Sequence, residues 1–282
     1  VGVLQVAGCR YNRSRNSQLA SRITHFISPN REAMDLPRII AIDGPAASGK
    51  STVGFALAER IGYLYFDTGA MYRAVTWAAM GQGLDLTDLD AVGALSESLA
   101  IDISAPQPDP ADGRQTTVLV DGQDVTWAIR SPDVDRNVSV VSANPRVRAA
   151  LTRHQRRISE RFLAGTAEAA GLVMVGRDIG TVVLPDAPVK IYLDASAEER
   201  ARRRYEELRK RGKDVPYDAV LADMRRRDEI DSGRAVAPLR PAEDAHILDT
   251  TGFTFEQVIG QILAVMKGEV IGDWGGSDKM TR

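Results

Sequence analysis

The chain has a single cysteine, Cys9, in 282 residues, so neither an internal disulfide framework nor a cysteine-based metal site is available to it. It also lacks a charge imbalance. Lys and Arg total 36 against 38 Asp and Glu, a net charge of −2, which excludes a global basic field that would recruit nucleic acid. No apolar run approaches the roughly 18 residues that a membrane-spanning helix needs. There is no internal repeat and no sizeable low-complexity tract. What remains is a chain with 44% hydrophobic content, enough to bury a full α/β core, and it is expected to be soluble and to work in a reducing cytoplasm.

Residues 1–35 differ from the rest. They are rich in Arg, Asn and Ser, show no sustained helical or strand period, and are read as a disordered leader or upstream extension, with Met34 as an alternative natural start. Val6-Ala7-Gly8-Cys9 superficially matches a lipoprotein cleavage box but lacks a basic segment and a long enough apolar stretch before it. From Leu36 onward strand and helix patterns alternate, which predicts βαβ units and a central parallel sheet with helices on both faces. Strands are expected near 38–42, 63–66, 171–175, 189–193 and 246–249. Helices are expected near 50–61, 69–81, 145–163, 196–211, 216–230 and 254–266. Between about 99 and 127, Ile101-Asp102-Ile103 and Thr117–Val120 flank a Pro/Asp/Gly loop. The pair Asp121-Gly122 before Gln123-Asp124-Val125 is a hairpin signal, so a small antiparallel insertion is expected there. Residues 268–282 read as a C-terminal tail.

Gly44-Pro45-Ala46-Ala47-Ser48-Gly49-Lys50-Ser51 fits G-x-x-x-x-G-K-[ST] and follows the apolar run Arg38–Ile42, the strand-then-helix context of a phosphate-binding loop. Its glycines let successive N–H groups point at phosphate oxygens, and the helix that follows adds the positive end of its dipole. Residues 44–52, ending with Ser51 and Thr52, are thus the expected cradle for the phosphates of ATP. Lys50 is expected to reach the β/γ-phosphates and Ser51 to ligate Mg²⁺. Such a loop does not name a reaction. No Asn-Lys-x-Asp guanine reader is present. Two further loops at strand ends are anion-ready: Asp67-Thr68-Gly69-Ala70-Met71-Tyr72-Arg73, and Gly176-Arg177-Asp178-Ile179-Gly180. Three such loops imply two phosphorylated substrates.

These stretches, with Pro145-Arg146-Val147-Arg148, Thr181-Val182-Val183, Pro185–Lys190 and Arg234-Ala235-Val236-Ala237-Pro238-Leu239, resemble the bacterial cytidylate kinases across about 36–267. The resemblance implies a nucleoside monophosphate kinase fold with an acceptor-binding region over about 68–148 and a helical lid over about 196–214. It implies transfer of the γ-phosphoryl group of ATP to CMP or dCMP by a monomer. Thr68, Tyr72, Arg73 and Arg177 match positions on the acceptor side. Arg227, Asp231 and Arg234 match a segment that contacts acceptor ribose and phosphate, and Ser139, Arg148 and Asp178 match the base-contacting positions. Lys50, Arg177, Arg227 and Arg203 are the expected catalytic cations. Arg200 and Arg204 are further lid candidates that spacing does not rank. The acceptor is already an ionised phosphate oxygen, so no general base is required and the three histidines, His25, His154 and His246, are expected to be bystanders. One position departs from the pattern. An acidic residue often precedes the Gly-Arg-Asp motif, whereas here Val175 does, leaving Ser51 and the substrate phosphates to hold Mg²⁺, with Asp43 assisting through water. Two rivals are a kinase of another nucleoside monophosphate and a nucleic-acid-binding ATPase that uses the arginine-rich helix.

Overall fold

The structure, a computed structural model, describes residues 36–106, 112–167, 169–210 and 212–269. The leader, with Cys9 and His25, and residues 270–282 of the tail lie outside these.

Strand β1 (Ile39–Asp43) is buried along its whole length, as a continuous apolar run in a parallel sheet must be. It pairs in parallel with Leu172–Val175 on one side and Val189–Asp194 on the other. The strands run β1, β2 (Leu64–Asp67), β3 (Ile101–Ser104), β4 (Thr117–Val120), β5 (Gln123–Asp124), β6 (Leu172–Val175), β7 (Val189–Asp194) and β8 (His246–Asp249). The parallel sheet has the order β2-β6-β1-β7-β8. Its edge strand β8 leaves His246 and Ile247 exposed, while central β6 is fully buried. Strands β3, β4 and β5 form the expected antiparallel insertion. Asp121 and Gly122, at φ 49° and 81°, supply the two left-handed residues that a tight hairpin turn demands.

The helices are α1 (Lys50–Ile61), α2 (Thr68–Gly81), α3 (Leu89–Ser98), α4 (Pro132–Ala143), α5 (Pro145–Leu163), α6 (Ala197–Lys210), α7 (Tyr217–Gly233) and α8 (Phe255–Met266). Two of them, α3 and α4, are absent from the elements expected above. Their start signals are local: the Asp88 carboxylate accepts from the amides of Asp90 and Ala91, and the Ser131 hydroxyl accepts from Val134 N with Pro132 opening the helix.

The main core joins one sheet face (Ile39, Ala41, Phe66, Leu172, Met174) to the apolar side of α2, α3 and α5 and to the inner face of the hairpin insertion. A second, small cluster matters more for the site. Ala46 of the phosphate loop packs with Ala201 on α6 and with Val220 and Met224 on α7. The α6–α7 hairpin therefore stands directly on that loop.

Candidate active site

Asp43, Asp67 and Val175 end β1, β2 and β6, and the loops that leave these strands line one cleft of about 690 Å³. Its position at the carboxyl ends of parallel strands is where open α/β sheets bind ligands.

The phosphate loop is shaped by backbone that few residues tolerate. Gly44 sits at φ 145°, and a Cβ there would lie 2.0 Å from the Leu193 carbonyl oxygen, so no other residue fits. Ala47, at φ 60°, and Gly49, at φ 94°, turn the chain into α1. Lys50 is buried, and its ammonium donates to the Pro45 carbonyl and, at 3.2 Å, to Ser48 Oγ. Burial and the nearby charge of Arg177 push Lys50 below its ordinary value. Ser51 is exposed to the cleft at the first turn of α1.

Asp43 makes a contact that the sequence did not show. Its two carboxylate oxygens accept the amides of Ile179 and Gly180 at 2.8 and 2.7 Å, so it anchors the turn after Gly176-Arg177-Asp178. Burial raises its carboxyl to about 6, against the pull of those two amides. Val175 is a core residue. It pairs with Ile42 and Asp67 across the sheet, and its side chain fills the space beside Gly54. Its carbonyl accepts the Thr68 hydroxyl at 2.8 Å, so that hydroxyl proton is committed to the fold.

The residues expected on the acceptor side meet in two buried arrangements. In the first, Arg148 donates to Asp178 Oδ2 at 2.5 Å and to the Ser142 carbonyl at 3.2 Å, and its guanidinium lies 5.3 Å above the Tyr72 ring. Arg148 and Asp178 are nearly inaccessible, yet Arg148 Nε has no hydrogen-bond partner among the described residues. Ser139 lines the same wall from α4. Burial pushes the Tyr72 hydroxyl up to about 12. In the second, Asp231 takes Arg177 Nε at 3.0 Å on one oxygen and faces Arg234 at 3.2 Å with the other. Burial and the like charges of Arg148 and Arg177 hold Arg234 below its ordinary value.

A third cluster has no counterpart in the sequence reading. Asp135 on α4 takes Arg73 from α2 at 2.6 Å and Arg204 from α6 at 2.8 Å, while its carbonyl takes Arg227 from α7 at 2.8 Å.

The structure separates the arginines expected in a lid, which spacing left unranked. Arg200 is buried and bidentate to Asp228, and it also donates to the carbonyls of Ala195 and Ala46, so it pins α6 to α7 and to the phosphate loop. It does not line the cleft. Arg203 and Arg204 do, Arg203 being steadied by Glu199 and by the hydroxyl and carbonyl of Thr250. Ten basic side chains line the cleft against five acidic ones, in a chain whose net charge is −2. His154 and His246 are not among the lining residues.

A phosphate cradle facing a wall of guanidiniums, at the mouth of a parallel sheet, defines a P-loop phosphotransferase. The cytidylate kinase sequence profile matches residues 40–268. The chain is 48% identical over 231 residues to the cytidylate kinase of Roseiflexus castenholzii, covering 82% of this chain and 94% of that one. It is 50% identical over 230 residues to that of Chloroflexus aggregans, with the same shares covered, and 46% identical over 235 residues to that of Bacillus velezensis, covering 83% and 98%. The chain belongs to the cytidylate kinase family.

Proposed function

We propose that the chain is an ATP-dependent (d)CMP kinase: an oxygen of the CMP or dCMP phosphate attacks the γ-phosphorus of ATP, the bond to the β-bridging oxygen breaks, and CDP or dCDP and ADP leave. The observation that carries this reading is that the phosphate loop and the arginine-rich acceptor wall line one continuous cleft.

In this reading the amides of residues 44–52 and Lys50 hold the ATP phosphates. Arg73, Arg177, Arg227 and Arg234 hold the acceptor phosphate, with Thr68 and Tyr72 in the wall behind and Asp231 orienting Arg177. Arg203 neutralises charge on the transferring group from the lid side. No side chain has to remove a proton, so the work is positioning and charge stabilisation. Ser139, Arg148 and Asp178 read the base. An Asp178 oxygen accepts from the cytosine amino group and meets another acceptor in uracil.

A nucleotide-borne Mg²⁺ fits the residues present. Among the described residues no group of three His, Cys, Asp or Glu could cage a metal by itself. Magnesium, however, prefers few protein ligands with phosphates and water. Ser51 would hold it, and Asp67, whose charge acts on Lys50, lines the same wall. When bound it would neutralise charge on the β- and γ-phosphates. Asp43 accepts one amide on each oxygen, which leaves further lone pairs for the water-mediated assistance expected of it.

We assign the activity to a monomer, as the family resemblance implies. The arginines of α6 pair largely with Glu199, Glu206, Glu207, Asp135 and Asp228, which argues against a nucleic-acid surface. No described helix is long and apolar enough to cross a membrane, and we place the enzyme in the cytoplasm with its nucleotides.

The test is a coupled ADP-release assay across CMP, dCMP, UMP, AMP and GMP, with and without RNA. CMP and dCMP should be turned over best, and RNA should have no effect. Lys50→Ala should fold normally and lose about 10² to 10³ in turnover. Preference for another monophosphate, or RNA-stimulated ATP hydrolysis without acceptor phosphorylation, would overturn the assignment.

A further inference from the structure

Asp135 lies in the first turn of α4 and is only partly accessible, and three arginines from three other helices converge on it. Each of its carboxylate oxygens takes one guanidinium. Arg73 comes from the helix that opens the acceptor side, and Arg204 from the lid helix 69 residues further along the chain. Its main-chain carbonyl takes Arg227, 92 residues away. Burial alone would raise the Asp135 carboxyl, but Arg73 and Arg204, with Arg227 beside them, hold it below its ordinary value.

The three cations do not sit together comfortably without it. Burial lowers Arg227, and the like charges of Arg73 and Arg204 lower it further. Asp223 and Glu207 each pair with one further nitrogen, of Arg227 at 2.8 Å and of Arg204 at 2.9 Å, and among the described residues neither bridges two of these three arginines as Asp135 does. A guanidinium carries five N–H groups in a rigid fork, and Asp135 occupies one N–H of each arginine, leaving others for a second anion.

We propose that Asp135 is a positioning residue for the acceptor phosphate. Its carboxylate holds Arg73 at the acceptor side and ties it to Arg204, and its main-chain carbonyl holds Arg227 beside them, so that the lid and the acceptor wall meet at one residue. This rests on the kinase reading above. The carboxylate need not touch the substrate. It acts through the arginines that do.

The test compares wild type with Asp135→Asn and Asp135→Glu. CMP and ATP are varied separately, CMP affinity is measured by calorimetry without ATP, and melting temperature is recorded alongside. Asn keeps the shape and the main-chain contact to Arg227 but loses the charge that pairs with Arg73 and Arg204. KM and Kd for CMP should therefore rise by about ten- to hundred-fold, the loss expected for a charge-assisted hydrogen bond, while KM for ATP stays within about two-fold. Asp135→Glu should recover part of that loss. Because Arg204 has already lost its charged tie to α4 in Asp135→Asn and keeps its pair with Glu207, adding Arg204→Met should change kcat less in that variant than in wild type. The proposal is overturned if CMP affinity is unchanged, or if both KM values move together with a fall in melting temperature, since that is what a purely structural joint would give. It is also overturned if the two substitutions combine additively. Failure of the kinase reading looks different, because wild type itself would then phosphorylate neither CMP nor dCMP. Should Asp135→Asn fail to fold, the CMP affinity of Asp135→Glu decides, since an intact charge one methylene out of place must still weaken CMP selectively.

Discussion

Asp178 and Arg148 are buried as an ion pair, and removing one member of such a pair leaves an uncompensated charge. The pair is therefore at once a structural joint and the proposed reader of the base, and a test has to separate the two. Asp178→Asn keeps the shape and one acceptor oxygen but adds an amide donor. Facing cytosine, that amide competes with the N4 amino group; facing uracil, it finds the O4 acceptor. CMP efficiency should fall by about ten-fold or more and the CMP/UMP ratio of kcat/KM should narrow. An equal fall for both acceptors would move Asp178 out of base recognition, and the role would pass to Ser139 and Arg148. The motif residues were legible in sequence because the phosphate loop and the Gly-Arg-Asp turn are short segments whose chemistry is local. Asp135 was not. It is one polar residue in a polar helix, and its importance comes from α2, α6 and α7 arriving at the same point.

The elements divide in the same way. The strands of the parallel sheet stood out as apolar runs, and α1, α2 and α5 to α8 as helical stretches between them. Helices α3 and α4 did not stand out, although each buries an apolar side, Val92 and Leu95 on one and Val134 and Val141 on the other, and each opens on a local cap, at Asp88 and at Ser131-Pro132. Nor could sequence tell that Asp43 accepts the amides of Ile179 and Gly180, since that depends on where the turn after β6 folds back. This contact ties the end of β1 to the start of the Ile179–Val183 turn, and it titrates. The folded-state value of about 6 lies above the ordinary 3.8. As pH rises, the unfolded chain therefore loses this proton first. The contribution favours folding fully below about pH 4 and is withdrawn as pH rises through 6, amounting to about 3 kcal/mol at most. Asp43→Asn cannot titrate. Thermal melts from pH 4.5 to 7 should show the variant gaining on wild type as pH rises, whereas melting curves that stay parallel would mean that burial does not raise this carboxyl.

At the scale of the whole molecule, the notable property is where the charge sits. The chain is slightly acidic overall, yet its cleft holds ten basic against five acidic side chains. That arrangement focuses positive potential on a site for two polyanions while leaving the remaining surface without a field that would attract nucleic acid. It also sets up a separation between function and fold. Substrate attraction acts over distances comparable to the Debye length, which falls from about 10 Å at 0.1 M salt to about 3 Å at 1 M. The core that carries the fold, by contrast, is an apolar sheet packed against helices. Raising potassium chloride from 0.05 to 0.5 M should therefore raise KM for both ATP and CMP by about three- to ten-fold, and the melting temperature should move by no more than a few degrees. Uridine or cytidine without a phosphate, tested as weak competitors, should bind almost independently of salt, because they carry no charge for the cleft to attract. If nucleoside and nucleotide affinities fell in parallel with salt, the cleft's excess charge would not be what draws the substrates in, and the arginines would matter only at contact distance.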